Sequence, residues 1–207
     1  MNAHVQPDQA YAIQVRQNLD FGIDQDLPKF WFGQDPFKTR VFDAISITFP
    51  EGERYFISSV RLFRDQITDP ELQARVKDFI KQEAQHGIAH DRYNKFLIDQ
   101  GQPLAKLLKF VTARMASDLK NKSPEENLAL TAAAEHITAL MAECFFSKKD
   151  TMAAAHPKMR AMLAWHAIEE MEHRAVVFDV MNHVGPVDYK IRARALALTS
   201  FLMTFFT

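Results

Sequence analysis

Phe79-Ile80-Lys81-Gln82-Glu83-Ala84-Gln85-His86-Gly87-Ile88-Ala89-His90 sets a carboxylate and an imidazole three residues apart, and Trp165-His166-Ala167-Ile168-Glu169-Glu170-Met171-Glu172-His173 repeats that spacing 87 residues later. Positions three and four apart are neighbours on an α-helix. Glu83 with His86, and Glu170 with His173, can therefore each aim at one spot, and His90 and His166 lie one turn along the same faces. One such pair arises often by chance, whereas two in one chain narrow the choice of fold.

Outward from the first pair, apolar residues recur at the helical period from Pro70 to Gln100, giving the face Leu72, Val76, Phe79, Glu83, His86, His90, Tyr93, Leu97. Asp69-Pro70 supplies an N-cap and a first-turn proline, and Gly101 with Pro103 supplies the stop. Around the second pair, a helix is expected from about Pro157 to Val184, with inner face Met162, His166, Glu170, His173, Val177 and a stop at Gly185-Pro186.

Two further helices each carry a lone carboxylate on their stripe. Ser123-Pro124-Glu125-Glu126 reads as a capping box, followed by Leu128, Thr131, Ala132, Glu135, Thr138, Ala139, Ala142, Phe146. Pro50 is expected in the first turn of a helix whose stripe is Glu53, Phe56, Ile57, Val60, Phe63, Arg64, Ile67. Glu51 falls on another line with Tyr55, Ser58 and Leu62. Val41 to Thr48 reads as a short strand or an extended lead-in, residues 1 to 36 as an N-terminal arm over the bundle, and Leu104 to Lys120 as a helix crossing between halves. The segment 189–207 is an apolar C-terminal helix, too short to span a bilayer. A packed terminal helix, a truncated chain and a surface for a partner or membrane stay open for it.

The expected fold is thus all-α: a single domain over residues 1–207, a ferritin-like four-helix bundle with a crossover helix and an additional C-terminal helix. Composition agrees. The chain has 207 residues, 47% of them hydrophobic and only 6 Gly, enough for one continuous core with little to interrupt helices. A net charge of -1 and a pI near 6.7 provide no basic field for nucleic acid. The single Cys144 excludes an internal disulfide framework and suits a reducing compartment. Met1 to Asp20 has no apolar run of a secretory signal. The expected location is cytoplasmic.

The order along the chain is Glu53, then Glu83-x-x-His86, then Glu135, then Glu170-x-x-His173. Four carboxylates buried alone in one core would be prohibitive, and two divalent cations would balance their charge. This is the ligand set of di-iron and di-manganese carboxylate bundles. The expected metal ligands are Glu53, Glu83, His86, Glu135, His166, Glu170 and His173, with His90 and His136 behind them as hydrogen-bonding partners. His166, one turn before Glu170 on the same face, is placed to reach the same metal as a seventh protein ligand. Either Glu83 and Glu170 or Glu53 and Glu135 would bridge. Glu169 and Glu172 read as solvated or ion-paired positions off the ligand face, and Phe79, Tyr93, Trp165 and Phe178 as an aromatic shell. Mixed carboxylate and imidazole donors suit iron, manganese or a mixed pair.

Phe49-Pro50-Glu51-Gly52-Glu53, Gln82-Glu83-Ala84-Gln85-His86, Ala134-Glu135-His136-Ile137-Thr138-Ala139 and the Trp165 to His173 segment resemble a bacterial family of ferritin-like proteins labelled "predicted metal-dependent hydrolase", over about residues 40 to 185. The resemblance implies a helical di-metal protein, and family members tend to be longer at the C-terminus. His166-x-x-x-Glu170-x-x-His173 is also similar to the pattern of the di-iron arylamine N-oxygenases, which carry an extra histidine on the last ligand helix. Three functions follow as expectations. The first is an O₂-dependent di-iron oxidase or oxygenase acting on a small organic molecule, with Glu53, Glu83, Glu135 and Glu170 as its catalytic carboxylates and an unidentified electron donor. The second is a two-metal hydrolase. The third is an iron-binding or storage protein. As partners, a homodimer and a membrane contact through the C-terminal segment stay open; nucleic acid is excluded.

Overall fold

The computed structural model describes residues 13–23, 26–184 and 187–205. They form seven α-helices: α1 Pro36–Arg61, α2 Pro70–Asp99, α3 Ala105–Asn121, α4 Pro124–Phe146, α5 Pro157–His173, α6 Val176–His183 and α7 Tyr189–Phe205. The described residues contain no named strand; Phe32 and Ala155 make one isolated bridge. The protein is an all-α helical bundle.

Four helices carry the core. α1 packs on α2, α4 on α5, α1 on α4, and α2 on α5. Side-chain pairs fix the directions. Asp43 meets Tyr93, Ser46 meets His90, and the Gly87 backbone approaches Glu53, so α1 and α2 run antiparallel. Gln82 meets His173 and His90 meets His166, which makes α2 and α5 antiparallel as well. α3 packs against α1 and more lightly against α4. At 17 residues it is about 25 Å long, and it returns the chain so that α4 can run parallel to α2.

The expected caps form. Asp69 accepts from the Glu71 amide at the start of α2, and Ser123 and Glu126 complete the capping box of α4. Every residue of the α2 stripe is buried, from Leu72 to Leu97. Along that stripe Leu72, Val76 and Phe79 belong to one apolar cluster and Tyr93 and Leu97 to another. Glu83, His86 and His90 form a polar layer between the two.

Three expectations about segments are corrected. Val41 to Thr48 is neither strand nor lead-in, because α1 starts at Pro36, where Asp35 caps the amides of Phe37 and Lys38. The β-branched run Ile45, Ile47, Thr48 favours strand only weakly. Burying Thr39, Asp43, Ser46 and Ile47 along one helical face, with Ile45 buried beside them, outweighs that preference. Pro50 consequently sits inside α1 rather than in its first turn. The long helix expected from Pro157 to Val184 is broken at Arg174 and Ala175, so that α5 ends on His173. Gly185, Pro186 and Phe206 lie outside the described residues.

α7 packs along α4, with Ala195 in the core and Leu196, Leu198, Phe201 and Leu202 exposed. α4 is long and apolar enough to cross a membrane by composition. It is nonetheless a core helix of the bundle, carrying the buried Glu135.

Candidate metal centre

Glu53 from α1, Glu83 and His86 from α2, Glu135 from α4, and His166, Glu170 and His173 from α5 meet in the polar layer. All seven are at most 5% exposed. They fall into overlapping groups able to hold metal ions: Glu53, His86 and His166; Glu83, Glu135 and His173; and Glu83, His86 and Glu170. Within each group one donor atom per residue lies within 4.8 Å of the others. Glu170 Oε1 is the hub, 3.1 Å from His166 Nε2, 3.5 Å from His173 Nε2 and 3.7 Å from His86 Nδ1. Glu83 Oε1 lies 3.0 Å from His173 Nε2 and 3.8 Å from His86 Nδ1. Glu83 and Glu170 thus stand between the two ends of the site, with Glu53 at one end and Glu135, 3.2 Å from His173 Nε2, at the other. The missing side chain of Gly87 leaves room for Glu53, whose Oε2 would lie 3.4 Å from a Cβ at that position.

Most of the donor atoms have no well-formed hydrogen bond within the protein. Among the described residues, twelve buried side-chain nitrogen and oxygen atoms have no hydrogen bond of acceptable geometry. Nine of them belong to this cluster: both oxygens of Glu53, Glu83 and Glu135, Glu170 Oε2, His86 Nδ1 and His173 Nε2. Orphan polar atoms in a core cost free energy. Their convergence on one volume fits cations that would satisfy them together.

Protonation reflects the same crowding. Burial first, then the neighbouring carboxylates, push Glu53 and Glu83 well above the usual carboxylate range. Burial raises Glu135 to about 7. Burial also opposes charge on Glu170 and His173, but each overcomes it. His173 with His166 holds Glu170 well below its ordinary value, and Glu135, Glu170 and Glu83 raise His173 well above its own. Without metal, protons therefore occupy the cluster, one of them at His173 Nε2 where a cation would bind. Burial and the adjacent His166 keep His86 and His90 neutral.

The imidazoles are oriented from behind. His86 Nε2 donates to Glu169 Oε2 at 3.0 Å, leaving Nδ1 to face the cluster. His173 Nδ1 donates to Gln82 Oε1 at 3.0 Å, leaving Nε2. His166 Nδ1 meets His90 Nε2 at 2.8 Å, and His90 Nδ1 meets Ser46 Oγ at 2.6 Å. Phe79 and Trp165 set ring edges against His173 and His86, with centroids 5.0 and 4.8 Å apart.

His166 groups with Glu53 and His86, its ring stacked on His86 at 4.1 Å, and its Nε2 lies 3.1 Å from Glu170 Oε1. The sequence reading is corrected at three places here. His136 is exposed and faces away from the cluster, lining a cavity of about 750 Å³ between α4, α6 and α7. Phe178 lines the same cavity, beneath the Arg192 guanidinium. Glu169 is fully buried and acts on a site histidine, although both it and Glu172 are ion-paired as expected. Arg16, Gln82 and Ser46 were not foreseen as parts of the site. Arg16 lies 153 residues from Glu169 and shares no helical period with it.

A second, narrower void of about 40 Å³ reaches the cluster between α1, α4 and α5. It is walled by Phe42, Ile45, Phe49, Ala142 and Leu163, and ends on His166 and Glu170. Glu51, off the buried stripe, pairs with Arg54 at 2.5 Å outside the cluster.

No curated protein and no solved structure matches this chain. A family model does match, over residues 14–207, well beyond the segment that the motifs cover, and the chain belongs to the family described as "predicted metal-dependent hydrolase".

Proposed function

We propose that this protein is a non-haem di-iron oxidase or oxygenase that uses O₂ on a small organic substrate. Glu53, His86 and His166 would hold one ion, Glu135 and His173 the other, and Glu83 and Glu170 would bridge. The observation that carries the reading is the pairing of a seven-residue donor set, buried to 5% exposure or less, with an approach that is apolar and about 40 Å³ in volume. Hydrolysis needs water delivered to the metal beside a polar substrate, and this approach favours a small apolar molecule. The four carboxylates neutralise two divalent ions, and imidazole with carboxylate suits iron.

A ferrous pair would supply two electrons to O₂ at one place. The protein's own part is positional. Phe42, Ile45, Phe49 and Leu163 keep bulk water from His166 and Glu170. Glu83 and Glu170 lie where each could serve both ends of the site. His166 Nδ1 lies 2.8 Å from His90 Nε2 and His90 Nδ1 lies 2.6 Å from Ser46 Oγ, so this relay would hold the His166 proton at Nδ1 when Nε2 binds a cation. His166 Nε2 is then left as a lone-pair donor.

The family description favours a second reading, a two-metal hydrolase in which a metal-activated water attacks an ester, amide or phosphate. The experiment is to load the purified chain with Fe²⁺ under argon and mix it with O₂. Rapid O₂ consumption with a transient visible absorption supports the oxidase. Failure to consume O₂, together with ester cleavage supported by Zn²⁺ or Mn²⁺, would establish the hydrolase.

A further inference from the structure

We propose that Arg16, on the N-terminal arm, is a positioning residue that fixes the metal-facing nitrogens of both His86 and His173; the proposal rests on the di-metal reading above. One guanidinium feeds two hydrogen-bond chains. Arg16 Nη1 donates to Glu169 Oε1 at 3.0 Å, and Glu169 Oε2 accepts from His86 Nε2 at 3.0 Å. Arg16 also grips Glu172 with both nitrogens, at 2.8 and 3.1 Å. Glu172 Oε2 accepts from Gln82 Nε2 at 2.8 Å, and Gln82 Oε1 accepts from His173 Nδ1 at 3.0 Å.

With Glu169 and Glu172 held as carboxylates by the Arg16 guanidinium, which opposes the upward push of burial on Glu169, the directions in both chains follow. An ionised carboxylate only accepts and a guanidinium only donates. Glu169 must therefore take a proton from His86 Nε2, which leaves the lone pair on Nδ1. Glu172 must take the amide hydrogen of Gln82, which turns the Gln82 oxygen to His173 Nδ1 and reserves His173 Nε2 for a cation that displaces its proton. Among the described residues, His86 Nδ1 and His173 Nε2 are the two buried histidine nitrogens that have no hydrogen bond of acceptable geometry. They belong to opposite ends of the site, His86 with Glu53 and His166, and His173 with Glu83 and Glu135.

The arm is built for this contact. The Gln14 amide donates to Glu172 Oε2 at 3.0 Å, and the Gln14 carbonyl accepts from Arg16 Nη1 at 2.9 Å and from Gln82 Nε2 at 3.3 Å. Residues 14 to 16 thus close over Glu169, Glu172 and Gln82. Arg16 matches two carboxylates with one planar fork, a geometry lysine does not reproduce. Glu169 and Glu172 place two carboxylates behind the site, and the Arg16 guanidinium lies between them.

The test compares wild type, Arg16→Ala and Arg16→Lys loaded with Zn²⁺, which is diamagnetic. Long-range ¹H–¹⁵N spectra of the histidine rings report which nitrogen carries the proton, and a chelator competition reports metal retention. In wild type, His86 is protonated at Nε2 and His173 at Nδ1. Arg16→Ala is expected to broaden or shift both signals and to weaken retention by about 10 to 100-fold, the usual cost of losing an outer partner of a ligand. Arg16→Lys should recover part of the loss. Unchanged ring signals and unchanged retention in Arg16→Ala would overturn the proposal, whatever happened to its melting temperature. Should Arg16→Ala fail to fold, Arg16→Lys carries the comparison by the same criteria. Glu83→Ala is run alongside. If it too retains both metals, the di-metal reading itself is wrong; if it loses them while Arg16→Ala does not, the positioning role alone falls.

Discussion

Glu169 Oε2 accepts a hydrogen bond from His86 Nε2 at 3.0 Å, between two side chains that are both fully buried. The pair joins α2 to α5 and decides which nitrogen of His86 faces the cluster. It also sets a graded test. Glu169→Gln keeps an acceptor oxygen and should leave metal affinity within a few-fold of wild type. Glu169→Leu removes the acceptor and should weaken affinity by about 10 to 100-fold, measured by competition with a chromophoric chelator. Equal affinities for the two variants would contradict the role.

Glu53 and Glu51 are two residues apart, yet only Glu53 reaches the cluster. Glu53→Ala should reduce bound metal from two ions per chain toward one, because it removes the carboxylate of the group containing His86 and His166. Glu51→Ala, which loses an exposed pair with Arg54, should keep both ions and cost less than about 1 kcal/mol. Elemental analysis of the anaerobically loaded proteins distinguishes them.

His166→Ala and His136→Ala make a parallel contrast. The first should weaken metal binding and alter the visible spectrum of a Co²⁺-loaded sample, since His166 Nε2 lies 3.1 Å from Glu170 Oε1 and stacks on His86. The second, an exposed side chain, should leave metal content and spectrum unchanged. A spectral change in His136→Ala would show that its ring reaches the site.

Metal uptake should release protons between about pH 5.5 and 7.5. The sign follows from the metal-free protein. Glu135 is raised to about 7, Glu53 and Glu83 are raised well above the usual carboxylate range by burial, and His173 is raised by its carboxylates. All four hold protons that a cation must displace, whereas Glu170 is already ionised. Affinity should therefore rise with pH across this window. For Glu135 alone, a folded value above the unfolded one means that metal-free stability declines as pH climbs from about 4.5 to 7. Calorimetry in buffers of different ionisation enthalpy measures the protons released; zero release would contradict the account.

Ala142 lines the narrow approach to His166 and Glu170. Ala142→Leu should fill the void, cost about 1 to 3 kcal/mol of stability through overpacking, and leave iron content unchanged. Stopped-flow mixing of the ferrous protein with O₂ should show a slowed reaction. An unaltered rate would mean that O₂ enters elsewhere.

Much of the site was legible because periodicity states which face of a helix is buried. The stripe from Leu72 to Leu97 and the capping box at Ser123 needed only local spacing, and the structure shows both. Periodicity gives the face but not the partner across it. His166 was correctly put on the face of Glu170, yet which group it joins depends on how α5 crosses α2. Adjacent residues on a helix diverge by about 100°, so Glu135 turns inward while His136 faces the cavity beside α7. Ser46 was hidden by the strand-like run Ile45-Ser46-Ile47-Thr48, whose preference the packing of α1 overrides. Arg16 carried no local signal, because its partners Glu169 and Glu172 lie 153 and 156 residues away in the sequence.

The central claim is that two ions share the polar layer between α1, α2, α4 and α5. Anomalous scattering at the iron edge, from crystals loaded with Fe²⁺ under argon, tests it most directly. The account predicts two peaks, one against Glu53, His86 and His166, the other against Glu135 and His173, with Glu83 and Glu170 contacting both. One peak, or none among these seven side chains, would contradict it.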